Sequence, residues 1–205
     1  MKILICGDSY MSVDKKRIHL NAIHWSNHLG TNVEIVNRAS PGTSNTHISM
    51  QLRKAIKHDR YDAIIIGFTF CNRLEISENL TTAHAPLCDN NQTLLGQLYR
   101  QIIWWPAEIA RNAAICEYTV LNARAHAPTV FVLNGFQESL ANEFTKDRDL
   151  FQQVNLLQES MPLQLTGHDE WPSPDGKNDY ACFHVRDPEV HKAFGEQIRQ
   201  ALFLV

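Results

Sequence analysis

The sequence predicts an α/β protein in which a doubly wound parallel sheet of about five strands forms the middle of three layers. Two observations support this prediction. Short apolar runs rich in β-branched residues, such as 3–6 and 62–67, are typical of strands buried on both faces of a parallel sheet. Segments with helical spacing of apolar residues separate these runs, and that alternation indicates a doubly wound sheet. The 205 residues are predicted to form a single domain, 1–205.

The first third of the chain alternates strands and helices. The predicted strands are 3–6, 33–36 and 62–67, and the predicted helices are 17–29 and 46–57. Gly30 directly follows the first of these helices, and glycine is favoured just beyond a helix end.

The remainder of the chain is less regular. A long polar stretch, 69–93, precedes a helix-rich region, 94–125, in which Pro106 marks a boundary. Further strands are predicted at 129–133 and 163–165, and helices at 140–159 and 187–203. Pro188 suits the first turn of the last helix.

Composition and charge exclude several classes of protein. A net charge of −3 and a pI near 6.3 give no electrostatic basis for binding nucleic acid or an anionic membrane. The five cysteines are scattered and form no CxxC pair, so no metal site is expected and a reducing compartment is favoured. The N-terminal apolar run is too short for a signal peptide, and a cytoplasmic location is expected.

Loops at one edge of the predicted sheet contain the residue types that acyl transfer needs. Ser9 follows the first strand and is placed to act as a nucleophile, although these residues fit an ordinary polar turn equally well. Gly42 offers a backbone N–H that no side chain blocks, and Asn72 offers a side-chain amide. His184, just before the last helix, is a candidate general base.

These residues resemble the motifs of the SGNH hydrolases, also called the GDSL-like esterases and lipases. The matching pieces are Gly7-Asp8-Ser9 after the first strand, Gly42 in the second loop, and a histidine before the final helix. The resemblance implies a flavodoxin-like SGNH fold, with Ser9 as nucleophile and His184 as general base. It also implies an oxyanion hole formed by the N–H groups of Ser9 and Gly42 together with an asparagine amide.

Two blocks depart from the family pattern. The third block is usually Gly-x-Asn-Asp, whereas here Asn72 lies further from Gly67, and Asn45 is a competing amide donor. The last block is usually Asp-x-x-His-Pro, whereas here Ala181 and Val185 replace the acid and the proline. Asp179 is the predicted third member of the triad, and a main-chain carbonyl that orients the histidine is the alternative.

The resemblance implies a serine esterase that needs no cofactor and cleaves a small-molecule ester, with a small acyl group on a carbohydrate as the first candidate. Asn45 and Arg73 are predicted to contact substrate, and an ion pair with Glu75 is the alternative role for Arg73. A non-catalytic binding or structural module with a degenerate triad is the alternative function. A phosphate or nucleotide binder is less favoured, because the first loop lacks a glycine-rich cradle.

Overall fold

The computed structural model describes residues 1–8, 11–13, 24–69, 75–77, 80–81, 105–133, 155–157 and 188–203. Within them, seven strands form two sheets: β1 (Lys2–Cys6), β2 (Glu34–Asn37), β3 (Ala63–Gly67), β4 (Glu75–Ser77), β5 (Leu80–Thr81), β6 (Thr129–Leu133) and β7 (Asn155–Leu157). The larger sheet has the order β2-β1-β3-β6-β7 and all of its described pairings are parallel, which confirms the predicted α/β class. The smaller sheet is the antiparallel pair β4-β5.

The central strands are apolar because both of their faces are covered. The side chains of β1 from Ile3 to Cys6 are fully buried, and so are those of Ile64, Ile65 and Ile66 in β3. Ile3 is paired with Ile35 of β2 on one side and with Ala63 of β3 on the other. A strand buried in this way has no polar face, which explains the continuous apolar runs in the sequence.

Helices cover the sheet on both faces. Helices α1 (Asn45–Ile56) and α2 (Trp105–Arg124) pack on one face, where the core includes Ile48, Leu52 and Val120. A short 3-10 turn (Trp25–His28) and helix α3 (Pro188–Phe203) pack on the other, with Trp25, Phe194 and Ile198 in the core. None of the helices in the described ranges is long and apolar enough to cross a membrane.

Some predicted elements differ from those observed. The helical pattern predicted over 140–159 is wrong at its end, because Asn155–Leu157 forms the edge strand β7 and pairs with β6. Its earlier part and the predicted strand 163–165 lie outside the described residues. Of the predicted helix 17–29, residues 17–23 also lie outside them, and residues 25–28 form only the 3-10 turn. The antiparallel pair β4-β5 was not predicted, since it interrupts a polar stretch.

Candidate active site

The candidate site lies at the carboxyl end of β1, beside the carboxyl end of β3. The chain leaves β1 to form β2 on one side and later returns to form β3 on the other side. Such a reversal of strand order opens a crevice at the carboxyl edge, where open α/β sheets bind ligands. Asp8, the loop before α1 and Thr69 after β3 all follow these strand ends.

Two of the predicted site residues, Gly42 and Asn45, belong to the described part of the chain. The other predicted site residues lie outside it, and their roles stay predictions: Ser9, Asn72, Arg73, Asp179 and His184.

The backbone on either side of Ser9 is closely held. The N–H of Met11 donates to the carbonyl of Asp8 over 3.2 Å, which joins the residues that flank positions 9 and 10. Asn37, the last residue of β2, donates its side-chain amide to the Met11 carbonyl over 2.7 Å. The Met11 side chain is fully buried and lies so close to Gly7 and Gly67 that a Cβ on either glycine would come within 2.5 Å of Met11 Cγ.

The loop that contains Gly42 is attached to the end of β1. Gly42 has a φ of 73°, a left-handed conformation that glycine adopts without steric cost. On either side of it, the Ser40 N–H donates to the Gly7 carbonyl over 3.1 Å and the Thr43 hydroxyl lies 3.2 Å from the same carbonyl. Ser44 caps α1 by accepting from the His47 N–H. These contacts keep the Gly42 loop beside the residue that precedes Asp8.

Gln51 contacts Gly7, the residue directly after β1, and the sequence pattern does not predict this contact. The Gly7 N–H donates to Gln51 Oε1 over 2.9 Å, and Gln51 Nε2 donates back to the Gly7 carbonyl over 3.1 Å. The two residues are 44 positions apart, and nothing in the local sequence pattern around Gln51 signals this pairing. A glutamine on an amphipathic helix is ordinarily interpreted as a solvated side chain.

Asn45 is a structural brace between α1, the end of β3 and α2. Its Oδ1 accepts from the Thr69 N–H over 2.9 Å, and its Nδ2 donates to the Thr69 carbonyl over 3.0 Å and to Asn112 Oδ1 over 3.1 Å. An amide nitrogen has two hydrogens, so both are already donated within the protein. Asn45 is also only 1% exposed. This geometry disfavours Asn45 as a substrate contact or oxyanion donor and leaves Asn72 as the favoured predicted amide.

Asp8 and Thr69 continue this buried polar network toward the predicted nucleophile. The Thr69 hydroxyl donates to Asp8 Oδ2 over 2.9 Å, and Asp8 is fully buried. Thr69 stands two residues after Gly67, where the third block of the family pattern has its asparagine. Because its backbone bonds to Asn45 and its hydroxyl to Asp8, Thr69 links β3 to the residue next to Ser9.

The described residues also bear on alternative chemistry. Burial raises the pKa of the Cys6 thiol far above its ordinary value, so Cys6 has no thiolate to offer as a nucleophile near neutral pH. His191 of α3 is 6% exposed, and its ring lies 6.0 Å from that of His24 in the contact between α3 and the 3-10 turn. Among the residues described, no cluster of three or more His, Cys, Asp or Glu side chains could hold a metal ion.

Comparison with known proteins identifies the class of fold. No protein-family model and no curated protein sequence matches the chain. Solved structures do match over nearly its whole length, and among them are two lipolytic proteins of the G-D-S-L family and two esterases. The predicted SGNH fold is therefore confirmed.

Three of these structures illustrate the similarity. TesA has a TM-score of 0.58 at 12% identity, with 100% of this chain and 99% of that chain covered. A member of the lipolytic G-D-S-L family from Veillonella parvula DSM 2008 has a TM-score of 0.54 at 10% identity, with 100% and 98% covered. A catalytic mutant of Axe2, an acetylxylan esterase from Geobacillus stearothermophilus, has a TM-score of 0.55 at 10% identity, with 98% and 94% covered. At these identities the similarity establishes a shared fold.

Proposed function

We propose that the protein is a serine esterase in which Ser9 is the nucleophile. The observation that carries the proposal is the attachment of the Gly42 loop to the Gly7 carbonyl, at the strand end that leads directly into Asp8 and Ser9. This attachment favours one oxyanion hole that the N–H groups of Ser9 and Gly42 both line. The fold shared with two esterases supports the same conclusion.

The direction of α3 supports His184 as the general base. Arg199, near the end of α3, lines a cavity of about 620 Å³ together with Met1 and Asn32, which lie at the amino edge of the sheet. The first turn of α3, at Pro188, therefore points toward the carboxyl edge. His184 precedes Pro188 by four residues, a reach of at most about 14 Å. Asp179 or a main-chain carbonyl would orient its imidazole.

The proposed reaction is acyl transfer to water in two steps. His184 takes the proton of the Ser9 hydroxyl while Ser9 Oγ attacks the ester carbonyl, and the N–H donors stabilise the resulting oxyanion. The tetrahedral intermediate collapses, its ester C–O bond breaks, and the departing alcohol takes the proton from His184. Water, deprotonated by His184, then attacks the acyl carbon. The bond between the acyl carbon and Ser9 Oγ breaks, Ser9 Oγ takes the proton back from His184, and the acid is released. The proposed chemistry uses no metal or organic cofactor.

A small acyl group on a carbohydrate is the proposed substrate class, with Arg73 as a substrate contact. An acetylxylan esterase shares the fold, which supports testing acetylated sugars first. Turnover of acetylated xylo-oligosaccharides should be compared with turnover of p-nitrophenyl acetate. A higher kcat/KM for the sugar ester supports the carbohydrate class, and turnover of the aryl ester alone contradicts it.

Labelling by a fluorophosphonate probe tests the nucleophile. The wild-type protein should label at one site and hydrolyse p-nitrophenyl acetate, and Ser9→Ala should do neither while keeping its melting temperature. Thr31→Ala is a suitable control, since Thr31 is an exposed hydroxyl residue in the turn before β2, at the opposite edge of the sheet. Hydrolysis retained by a folded Ser9→Ala protein would remove Ser9 from the mechanism.

Three variants test separately the roles of the two candidate amides and of the candidate base. Asn72→Ala should lower kcat by about 100-fold or more if its amide completes the oxyanion hole. Asn45→Ala should chiefly lower the melting temperature, because its amide braces Thr69. His184→Ala should reduce activity nearly to the Ser9→Ala level, because nucleophile and base act as one unit. Full activity in His184→Ala would exclude this histidine.

A non-catalytic binding or structural module on the same fold is the second candidate function. Two departures favour it: Thr69 occupies the expected position of the third-block asparagine, and Ala181 that of the acid in the last block. The probe separates the two functions, since a module without an activated serine does not label. Asp179→Asn tests whether the Asp179 carboxylate orients His184, because loss of a carboxylate that orients the histidine costs about 10⁴-fold in kcat.

A further inference from the structure

Gln51 joins helix α1 to the backbone of Gly7, two residues before the predicted nucleophile. Its side-chain amide accepts from the Gly7 N–H over 2.9 Å and donates to the Gly7 carbonyl over 3.1 Å. An uncharged primary amide can accept and donate at once in this cyclic arrangement, and among side chains only glutamine and asparagine carry one. Gly7 is buried, so its backbone groups need partners within the protein.

The Gly7 carbonyl is a common attachment point for three parts of the candidate site. It accepts from Gln51 Nε2, from the Ser40 N–H over 3.1 Å, and lies 3.2 Å from the Thr43 hydroxyl. Ser40 and Thr43 bracket Gly42, so this one carbonyl joins β1, the Gly42 loop and α1. A rotation of the peptide unit between Gly7 and Asp8 would change the direction in which the chain enters Asp8, relative to Gly42.

We propose that Gln51 is a positioning residue. It holds the peptide units on both sides of Gly7, and through them Ser9, in register with the Gly42 N–H. The inference rests on the proposed function, because Ser9 must be the nucleophile for this register to affect catalysis. Gln51 acts through the backbone of Gly7 and contacts no substrate atom in this scheme. It is therefore expected to affect kcat and leave KM largely unchanged.

Three substitutions separate the parts of this role. Gln51→Met keeps the length of the side chain and removes both hydrogen bonds. Gln51→Glu keeps an acceptor for the Gly7 N–H but, when ionised, places a second oxygen against the Gly7 carbonyl. Lys54→Met is the matched control, since Lys54 is exposed on the same helix.

The rate of fluorophosphonate labelling is the first measurement. Gln51→Met should label about 10- to 100-fold more slowly than the wild type, because small misplacements of a nucleophile have effects of this size. Lys54→Met should label at the wild-type rate. Thr43→Val removes the other side-chain donor to the Gly7 carbonyl and should also slow labelling. This variant replaces Gln51→Met as the test if a lowered melting temperature shows that Gln51→Met folds poorly.

The pH profile of Gln51→Glu distinguishes positioning from a general packing role. A protonated glutamic acid regains both a donor and an acceptor, so it can pair with the Gly7 peptide as glutamine does. The labelling rate of Gln51→Glu divided by that of Gln51→Met should therefore rise as the pH falls from about 7 to about 4, through the ordinary pKa of glutamate near 4.3. A ratio that does not change with pH contradicts the proposal.

Hydrogen exchange at the Gly7 amide distinguishes failure of this inference from failure of the proposed function. The Gly7 amide should exchange faster in Gln51→Met than in Lys54→Met, whether or not the protein is an enzyme. A wild type that does not label overturns the proposed function, and with it any catalytic role of Gln51. A wild type that labels, together with a folded Gln51→Met that labels equally fast, overturns the positioning role alone.

Discussion

Met11 determines how closely residues can pack at the carboxyl ends of β1 and β3. Its fully buried side chain lies against Gly7 and Gly67, and no larger residue fits at either glycine without a displacement. A Cβ on Gly67 would lie 2.5 Å from Met11 Cγ and 2.7 Å from Met11 Sδ. A Cβ on Gly7 would in addition lie 2.7 Å from Met11 Cβ.

Gly67→Ala should destabilise the wild-type protein by about 1–3 kcal/mol through overpacking. In a Met11→Ala background the same change should be nearly neutral, because the atoms that it would meet are gone. Gly7→Ala is the matched comparison. Its destabilisation should largely persist in the Met11→Ala background, because the Cβ of residue 11 remains in place. Urea unfolding of the single and double variants measures both coupling energies, and equal penalties for Gly67→Ala in the two backgrounds would contradict this packing.

Cys6, the last residue of β1, couples stability to alkaline pH. Burial raises the pKa of its thiol in the folded state, whereas in the unfolded chain it has its ordinary value near 9.0. A raised folded-state pKa contributes stability that is complete below the unfolded value and is lost as the pH rises above it.

The free energy of unfolding should therefore fall as the pH rises from about 7 to about 10, by about 1.4 kcal/mol on account of Cys6 alone. Cys6→Ala removes this titration and leaves every other group in place. The difference in unfolding free energy between the wild type and Cys6→Ala should narrow by that amount over the range. A difference independent of pH would show that Cys6 is not protected from ionisation.

At the residue scale, the sequence predicts the features that depend only on neighbouring residues in the chain. The sequence places Gly7 and Asp8 directly after the first strand, and the structure confirms that position, whereas the oxyanion role of Gly42 stays a prediction. Gln51 and Asn112 could not be recognised, because their partners lie 44 and 67 positions away. Asn45 is predicted to contact substrate, whereas its hydrogen bonds are to Thr69 and Asn112, which only the packing of β3 and α2 beside α1 reveals.

At the scale of elements, α3 packs closely on the 3-10 turn at Gly195. A Cβ on Gly195 would lie 2.3 Å from the Trp25 carbonyl oxygen and 2.8 Å from His28 Cβ. The Phe194 ring meets the Trp25 ring edge-on at 5.6 Å. The absent side chain at position 195 therefore sets the distance between the two elements.

Gly195→Ala should destabilise the protein by about 1–3 kcal/mol, because the new methyl group meets backbone atoms that cannot rotate away. This sign is the reverse of the usual effect in a helix, where alanine is favoured over glycine by about 0.5–1 kcal/mol. Thermal or urea unfolding gives the sign directly. Gln200→Ala, at an exposed position of the same helix, should change stability by no more than about 0.5 kcal/mol.

Element types were predictable where both faces of a strand or one face of a helix had a uniform pattern. β6 was predicted with its observed bounds, and α1 and α3 to within one residue at each end. The short edge strand β7 was predicted as the end of a helix, because its three residues are too few to show a period of two. Its strand character comes from pairing with β6, a contact that no local pattern encodes.

At the scale of the whole molecule, the sheet separates two apolar cores. One contains Ile48 of α1 and the neighbouring residues of α2, and the other contains Trp25, Phe194 and Ile198. Side chains alternate between the two cores along each central strand, since successive residues of a strand point to opposite faces.

Substitutions in different cores should therefore have additive effects on stability. Ile48→Val and Ile198→Val should each cost about 0.5–1.5 kcal/mol, and the double variant should equal their sum within about 0.5 kcal/mol. Trp25→Phe with Phe194→Leu is the comparison pair within one core, and it should show a coupling of about 0.5 kcal/mol or more. Strong coupling across the sheet would contradict two independent cores.

The position of β1 also has a consequence for how the chain reaches its native state. The strand nearest the N-terminus is paired on both sides, with β2 and with the more distant β3, and β3 pairs in turn with β6. A ribosome would therefore release β1 well before β3, and the strand would emerge with its apolar side chains and hydrogen-bonding groups still uncovered. Parallel pairings between such distant segments close large loops, so refolding should be slow compared with that of helical proteins of similar length.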